Sequence, residues 1–157
     1  MALNRYQEKR DFSRTAEPEE AVTNSNKTKN VYVIQEHHSR RLHWDLRLEM
    51  GGVLKSWAVP KEPPREAGVR RLAVPVEDHP IEYAHFSGVI PEGQYGAGEV
   101  LIWDVGTYKP ISISETKIVI NIEGKKLAGN YCLVKTKFRG KDSWLFFKMK
   151  KTAFLGA

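Results

Sequence analysis

Beyond residue 30 the apolar side chains come in short bursts rich in Val, Ile, Trp, Tyr and Phe, separated by Gly, Pro and Asp. Short β-branched and aromatic runs bounded by turn residues are the mark of strands. The pattern predicts strands near 31–36, 43–50, 53–59, 70–76, 99–105, 117–122, 130–136 and 143–149, with tight turns such as Met50-Gly51-Gly52 and Glu123-Gly124. No long stretch repeats with the 3.6-residue helical period, and the one helix predicted is short, from Leu3 to Lys9. About eight short strands fit an all-β fold, a compact closed or nearly closed β-barrel, because closure hides the strand edges. Residues 1–30 are polar and Thr23–Asn30 reads as a linker, so a partly irregular N-terminal segment precedes a barrel domain spanning 31–157. The longest loop, Lys61 to Gly68, carries Pro63-Pro64 and is placed to border a site.

Composition narrows the class. With 157 residues, 41% hydrophobic and 28% charged, the chain has material for one domain with a real core, which excludes chain-wide disorder. Cys132 is the only cysteine, so an intrachain disulfide and a cysteine-based zinc site are excluded, and its strand context predicts burial. No apolar run reaches the roughly 18–20 residues of a membrane span, and no signal-like segment opens the chain, so a cytoplasmic protein with no membrane partner is expected.

The formal charge of +6 makes a polyanionic partner plausible, and its distribution says more than its sum. Residues 135–151 hold seven basic groups against one acidic, and residues 37–71 hold eight against four. Two basic surfaces are therefore expected. The C-terminal one is interleaved with Phe138, Trp144, Phe146 and Phe147, which marks a folded hairpin and not a tail.

The segment that carries chemistry is His43-Trp44-Asp45-Leu46-Arg47-Leu48-Glu49-Met50. Its strict alternation puts an imidazole, a carboxylate and a guanidinium in one row on a strand. His43 and Asp45 can offer a nitrogen and an oxygen to one ion, and His37, at the end of the preceding strand, is the natural third ligand. Mixed N/O ligation with open positions suits Mn²⁺, Fe²⁺ or Zn²⁺ in catalysis. Arg47, next along the same face, would reach a phosphate with a planar fork. The plainer reading is a half-buried sheet whose charged face meets solvent. Asp78-His79-Pro80 at a strand end, preceded by Arg70-Arg71, adds a candidate phosphate ligand or proton donor in His79. Gly93-Gln94-Tyr95-Gly96-Ala97-Gly98 lacks the Lys-Ser/Thr of a P-loop and precedes a strand, so it is read as a tight turn. Ser39 and Ser87 lack the context of a hydrolase nucleophile.

Longer motifs resemble a known family. Val33-Ile34-Gln35-Glu36-His37, Arg41-Leu42-His43-Trp44-Asp45-Leu46-Arg47-Leu48-Glu49 and Val53-Leu54-Lys55-Ser56-Trp57-Ala58-Val59-Pro60-Lys61 closely resemble the 3′-phosphoesterase domain of bacterial DNA ligase D. So do Val76-Glu77-Asp78-His79-Pro80-Ile81-Glu82-Tyr83 and the run from Gly88 to Val100, in the same order. The resemblance implies a compact β-barrel and a Mn²⁺-dependent enzyme of DNA 3′ ends. A phosphodiesterase step removes a terminal ribonucleoside from a primer-template duplex, and a phosphomonoesterase step then exposes the 3′-OH. It implies metal ligands at His37, His43 and Asp45, and phosphate-contacting or catalytic groups at Arg47, Arg71, His79 and Tyr83, with Lys61 added. It also gives functional roles to Arg10, Asp11 and Glu17, so the N-terminal segment is expected to fold over the active site. Trp44 stands where the family more often has Tyr. The family domain is usually fused to polymerase and ligase modules, for which 157 residues leave no room, so a stand-alone version with any ligase or polymerase partner in trans is expected. The competing class is a non-catalytic nucleic-acid-binding barrel, which would bind with salt sensitivity and without metal; a related phosphoesterase of RNA ends is the third.

Overall fold

The computed structural model describes residues 3–18 and 30–150. A short helix α1 (Asn4–Glu8) is followed by nine strands: β1 (Val31–His38), β2 (Leu42–Met50), β3 (Val53–Val59), β4 (Arg70–His79), β5 (Gly88–Ile90), β6 (Gly98–Ile113), β7 (Lys117–Glu123), β8 (Ala128–Phe138) and β9 (Lys141–Lys148). A 3₁₀-helical turn, Ile81–His85, links β4 to β5. All pairings between strands are antiparallel in the order β1-β2-β3-β4-β9-β8-β7-β6, and β1 pairs again with β6, which closes an eight-stranded barrel. β5 lies outside the ring as an extra strand on β6.

Alternation decides what fills the barrel. Tyr32 and Ile34 of β1, Leu46 and Leu48 of β2, Ile118, Ile120 and Ile122 of β7 and Phe146 of β9 point inward and join one buried core. Each such side chain contributes roughly 1.5–3 kcal/mol by leaving water. The other face of β1 and β2 looks outward but is covered. Tyr6 of α1, Val33, Leu54, Tyr83, Phe86, Ile90 and Val100 form a second buried cluster there. The barrel interior is thus packed solid, and any cleft lies between its outer wall and that covering layer.

The structure departs from the predicted elements where Gly and Pro read as breakers. β6 runs on to Ile113, because a Cβ at Gly106 would lie 2.1 Å from the Glu123 carbonyl, so glycine there permits the close approach of β7. Pro110 sits at a register shift of the β6–β7 ladder. β4 continues through Pro75 to His79 because β9 pairs only with Arg70–Ala73, leaving Pro75 on a strand edge. β5, three residues long, is too short to leave a period. The Lys61–Gly68 loop, expected beside a site, is tied down by Tyr131, whose hydroxyl donates to the Pro64 carbonyl at 2.8 Å.

The β8–β9 hairpin outruns its neighbours. β7 pairs with β8 only as far as Val134, and β4 pairs with β9 only from Trp144 onward. Residues 136–138 and 141–143 therefore pair only with each other, as a two-stranded ribbon. Its turn takes positive φ at Arg139 (54°) and Gly140 (80°), the mirror-image geometry that matches strand twist. Phe138 at the tip is exposed.

Candidate active site

The odd-numbered residues of β1 and β2 build the wall of a cleft of about 780 Å³. Asp45, Arg47 and Glu49 are only 5%, 3% and 6% exposed, so the polar row does not meet bulk solvent as the plainer reading of its alternation had it. The facing walls come from Arg10, from Glu77 and His79 of β4, from Tyr83 and from the Glu92–Ala97 loop.

His37 and His43 are direct partners in the β1–β2 hairpin register, which brings their rings together with centroids 4.8 Å apart. His37 Nε2–H donates to the Gly96 carbonyl (2.7 Å) and His43 Nδ1–H donates to the Arg41 carbonyl (3.0 Å). A carbonyl only accepts, so these contacts fix both tautomers and leave lone pairs on His37 Nδ1 and His43 Nε2. Those atoms lie 3.5 and 3.2 Å from Asp45 Oδ2. Two nitrogen lone pairs converging on a carboxylate repel unless a cation sits between them. The three ligand atoms lie within 4.8 Å of one another, and the two-nitrogen, one-oxygen set fits a divalent transition-metal ion. Burial alone would raise the Asp45 pKa, but the charge of Arg47 beside it holds it far below the usual carboxylate range, so it stays ionised. At His43, burial works against protonation and is outweighed by Asp45, which raises the imidazole pKa.

Arg47 is locked from several sides. Its Nε donates to Gln35 Oε1 (2.6 Å), Nη1 donates to Ser56 Oγ (2.9 Å), and Nη2 lies 3.4 Å from Asp45 Oδ2. Its guanidinium carbon sits 4.9 Å from the centroid of the Tyr83 ring. Gln35 is oriented in turn, its amide donating to the carbonyls of Tyr83 (2.7 Å) and Phe86 (3.0 Å).

His79 Nδ1–H donates to the Glu77 carbonyl (2.9 Å), so Nε2 carries the lone pair, and Arg10 Nη2 approaches it at 3.5 Å. Burial first, then the charges of Arg47 and Arg10, depress its pKa well below the ordinary histidine value. In the free protein His79 is thus a neutral acceptor, which counts against its reading as a ready proton donor. Arg10 Nε donates to Glu17 Oε2 (2.9 Å), and the Tyr83 hydroxyl donates to the same oxygen (2.6 Å). Burial above all pushes the Tyr83 phenol far above its usual pKa, so it remains a donor.

Arg10, His37, His43, Asp45, Arg47, His79 and Tyr83 therefore share one cleft, with Glu17 directly behind it. Three other residues named from the sequence stand apart. Asp11 is exposed and accepts hydrogen bonds from the Ser13 amide (3.1 Å) and hydroxyl (2.6 Å), closing its own turn. Lys61 is exposed beyond the end of β3, outside the cleft lining. Arg71 lies at the opposite end of β4 from His79, its Nε donating to the Glu62 carbonyl at 2.7 Å. Sequence reading missed Gln35, Ser56 and Glu77 as members of the site. Gln35 shares the odd-numbered face of β1 with His37 and was within reach of the strand argument; Ser56 and Glu77 come from other strands and carry no local signal.

Two paired imidazoles and a carboxylate, beside a buried guanidinium and a neutral imidazole on the outer wall of a closed β-barrel, form a group that could hold a metal ion next to an anion. The chain belongs to the DNA Ligase D 3′-phosphoesterase domain family, whose model matches residues 35–135. It is 45% identical over 152 residues to the multifunctional non-homologous end joining DNA repair protein LigD of Mycobacterium tuberculosis (strain ATCC 25618 / H37Rv), covering 94% of this chain and 20% of that protein. With the multifunctional non-homologous end joining protein LigD of Pseudomonas aeruginosa it shares 44% identity over 155 residues, covering 94% of this chain and 18% of the relative. The chain thus spans about a fifth of the length of the curated relatives it matches. Among the described residues no helix is long and apolar enough to cross a membrane.

Proposed function

We propose that this protein is a Mn²⁺-dependent phosphoesterase that heals DNA 3′ ends in the cytoplasm. It removes a 3′-terminal ribonucleoside as a phosphodiesterase, then the remaining 3′-phosphate as a phosphomonoesterase, leaving a 3′-OH for ligation in non-homologous end joining. The observation that carries the reading is the convergence of His37, His43 and Arg47 on one oxygen of Asp45, at 3.5, 3.2 and 3.4 Å. A divalent ion held by His37, His43 and Asp45 supplies Lewis-acid polarisation of a phosphoryl oxygen.

The chain's own residues do the rest. Arg47 has five N–H donors; the protein fixes its orientation through Gln35 and Ser56, and the remaining donors meet the charge that develops on the phosphoryl oxygens. Arg10 adds a second cation opposite. His79 Nε2 faces the cleft unprotonated, and a phosphate between Arg47 and Arg10 offsets the two charges that depress its pKa. His79 then takes the proton of the attacking water and returns it to the leaving oxygen. Tyr83 and Glu17 keep Arg10 and Arg47 in place. The direct test incubates a primer-template ending in a single 3′-ribonucleotide with Mn²⁺. Loss of a nucleoside followed by loss of phosphate, both abolished by EDTA, is the expected course; no product with any divalent metal overturns the reading.

The basic ribbon at the β8–β9 tip is assigned to holding the duplex. Lys137, Arg139 and Lys141 are exposed there, and no cleft residue belongs to the ribbon. Neutralising all three with glutamine is expected to weaken DNA binding and to flatten the slope of log K against log salt by up to about 2.7, at ~0.9 per phosphate contact. Turnover at saturating DNA should be retained. An unchanged salt slope removes the ribbon from the interface.

A further inference from the structure

The Gly93–Gly98 loop reads from sequence as a tight turn, and the proposed chemistry uses none of its side chains. The structure gives it a larger part. Two successive turns close it, with the Gln94 N–H on the Pro91 carbonyl (3.1 Å) and the Ala97 N–H on the Gln94 carbonyl (3.1 Å). Gly93 and Gly96 adopt φ of 91° and 77°, and a Cβ at Gly98 would lie 2.1 Å from the His38 carbonyl. The Gly96 carbonyl also fixes the His37 ring. The loop is therefore held in a set position relative to the metal-ligand face, and it carries Tyr95 to the rim of the cleft.

Tyr95 lines the cleft yet is 48% exposed, whereas Tyr83, the other aromatic of the lining, is 2% exposed. Cations hold its position: Lys9 Nζ donates to its hydroxyl (3.3 Å) and lies 4.6 Å from the ring centroid, with the Arg10 guanidinium carbon at 5.3 Å. Lys9 and Arg10 are themselves anchored on buried Glu77, at 3.0 and 3.4 Å. An aromatic ring kept half open to water, at the mouth of a cleft lined by cations, has the shape and chemistry that stack a nucleobase while neighbouring charges attract the phosphate.

We propose that Tyr95 is the stacking platform for the base of the nucleotide that carries the 3′-phosphate. This rests on the phosphoesterase reading above and adds to it a base-dependent, sequence-tolerant subsite beside the phosphate grip. The test compares two DNA oligonucleotides ending in a 3′-phosphate, one with a terminal adenine and one with an abasic terminal residue. Wild-type protein is expected to show a KM on the order of ten-fold lower for the base-bearing end, at the strength of one stacked base. That preference should collapse in Tyr95→Ala and return in Tyr95→Phe, because the ring and not the hydroxyl stacks. A preference that survives Tyr95→Ala overturns the proposal. A second arm needs no turnover: 2-aminopurine at the 3′-terminal nucleotide is titrated with protein in EDTA. Quenching by wild type and by Tyr95→Phe but not by Tyr95→Ala supports stacking, and equal quenching by all three, or none by wild type, overturns it. Failure of wild-type protein to release phosphate from either oligonucleotide refutes the enzymatic reading instead, and the fluorescence arm still decides the role of Tyr95.

Discussion

Asp45→Asn is expected to lower phosphate release by on the order of a thousand-fold and to abolish the thermal stabilisation that Mn²⁺ confers on the wild-type protein. Asparagine keeps the shape and one oxygen of the ligand but not its charge. That charge faces the lone pairs of His37 Nδ1 and His43 Nε2 at 3.5 and 3.2 Å and the Arg47 guanidinium at 3.4 Å. In the wild type the Arg47 charge holds the carboxyl ionised against the cost of burial. Removing it leaves Arg47, 3% exposed, without its ionic neighbour, and breaking a buried pair of this kind costs up to about 3–5 kcal/mol. Calorimetric Mn²⁺ titration, melting with and without the metal, and phosphate release together check the expectation. Near-normal turnover with unchanged metal affinity would remove Asp45 from the ligand set. His43→Ala should lose metal affinity in the same way but keep the Asp45–Arg47 pair, so its metal-free melting point should stay closer to wild type.

The part of this site that was legible in the sequence is the part made within one hairpin. A strand's period of two is a local property, so the row His43, Asp45, Arg47 could be placed on one face, and the turn after His38 brings His37 opposite His43. The contacts that orient those groups join residues far apart in the chain. His37 meets the Gly96 carbonyl across 59 positions, Gln35 meets the Tyr83 carbonyl across 48, and Arg10 reaches His79 across 69. Barrel closure and the covering layer create these meetings, and no period or composition announces them. Strand length explains Arg71. Resemblance to the family groups Arg71 with His79, whereas the ten-residue β4 puts the two near opposite ends, roughly 25 Å apart at strand rise. The Gly-rich loop illustrates the reverse error: its glycines do make turns, but the turns serve to bring a carbonyl to His37 and a ring to the rim.

Arg47→Lys is expected to lower kcat by on the order of a hundred-fold or more while DNA binding through the ribbon persists, a loss comparable to removing a transition-state donor elsewhere. The substitution conserves charge, so the prediction turns on geometry. Arg47 spends Nε on Gln35 at 2.6 Å and Nη1 on Ser56 at 2.9 Å, and those two bonds hold the plane of the fork between the metal-ligand face and His79. A lysine ammonium is a compact point charge that cannot reach Gln35, Ser56 and a phosphate at once. Gln35 Oε1, fully buried, would be left without its donor, while the Gln35 amide remains tied to the Tyr83 and Phe86 carbonyls and cannot turn away. The stability cost should therefore be about 1–3 kcal/mol, seen as a modest fall in Tm, and the larger effect should fall on turnover. If net positive charge alone were what the site needs from this residue, lysine would keep kcat within a few-fold of wild type. Gln35→Ala separates the two ideas further, because it leaves the Arg47 charge untouched and frees its fork. Its kcat should fall in the same direction as Arg47→Lys, and an unchanged kcat would show that the fork's orientation is not what the reaction draws on.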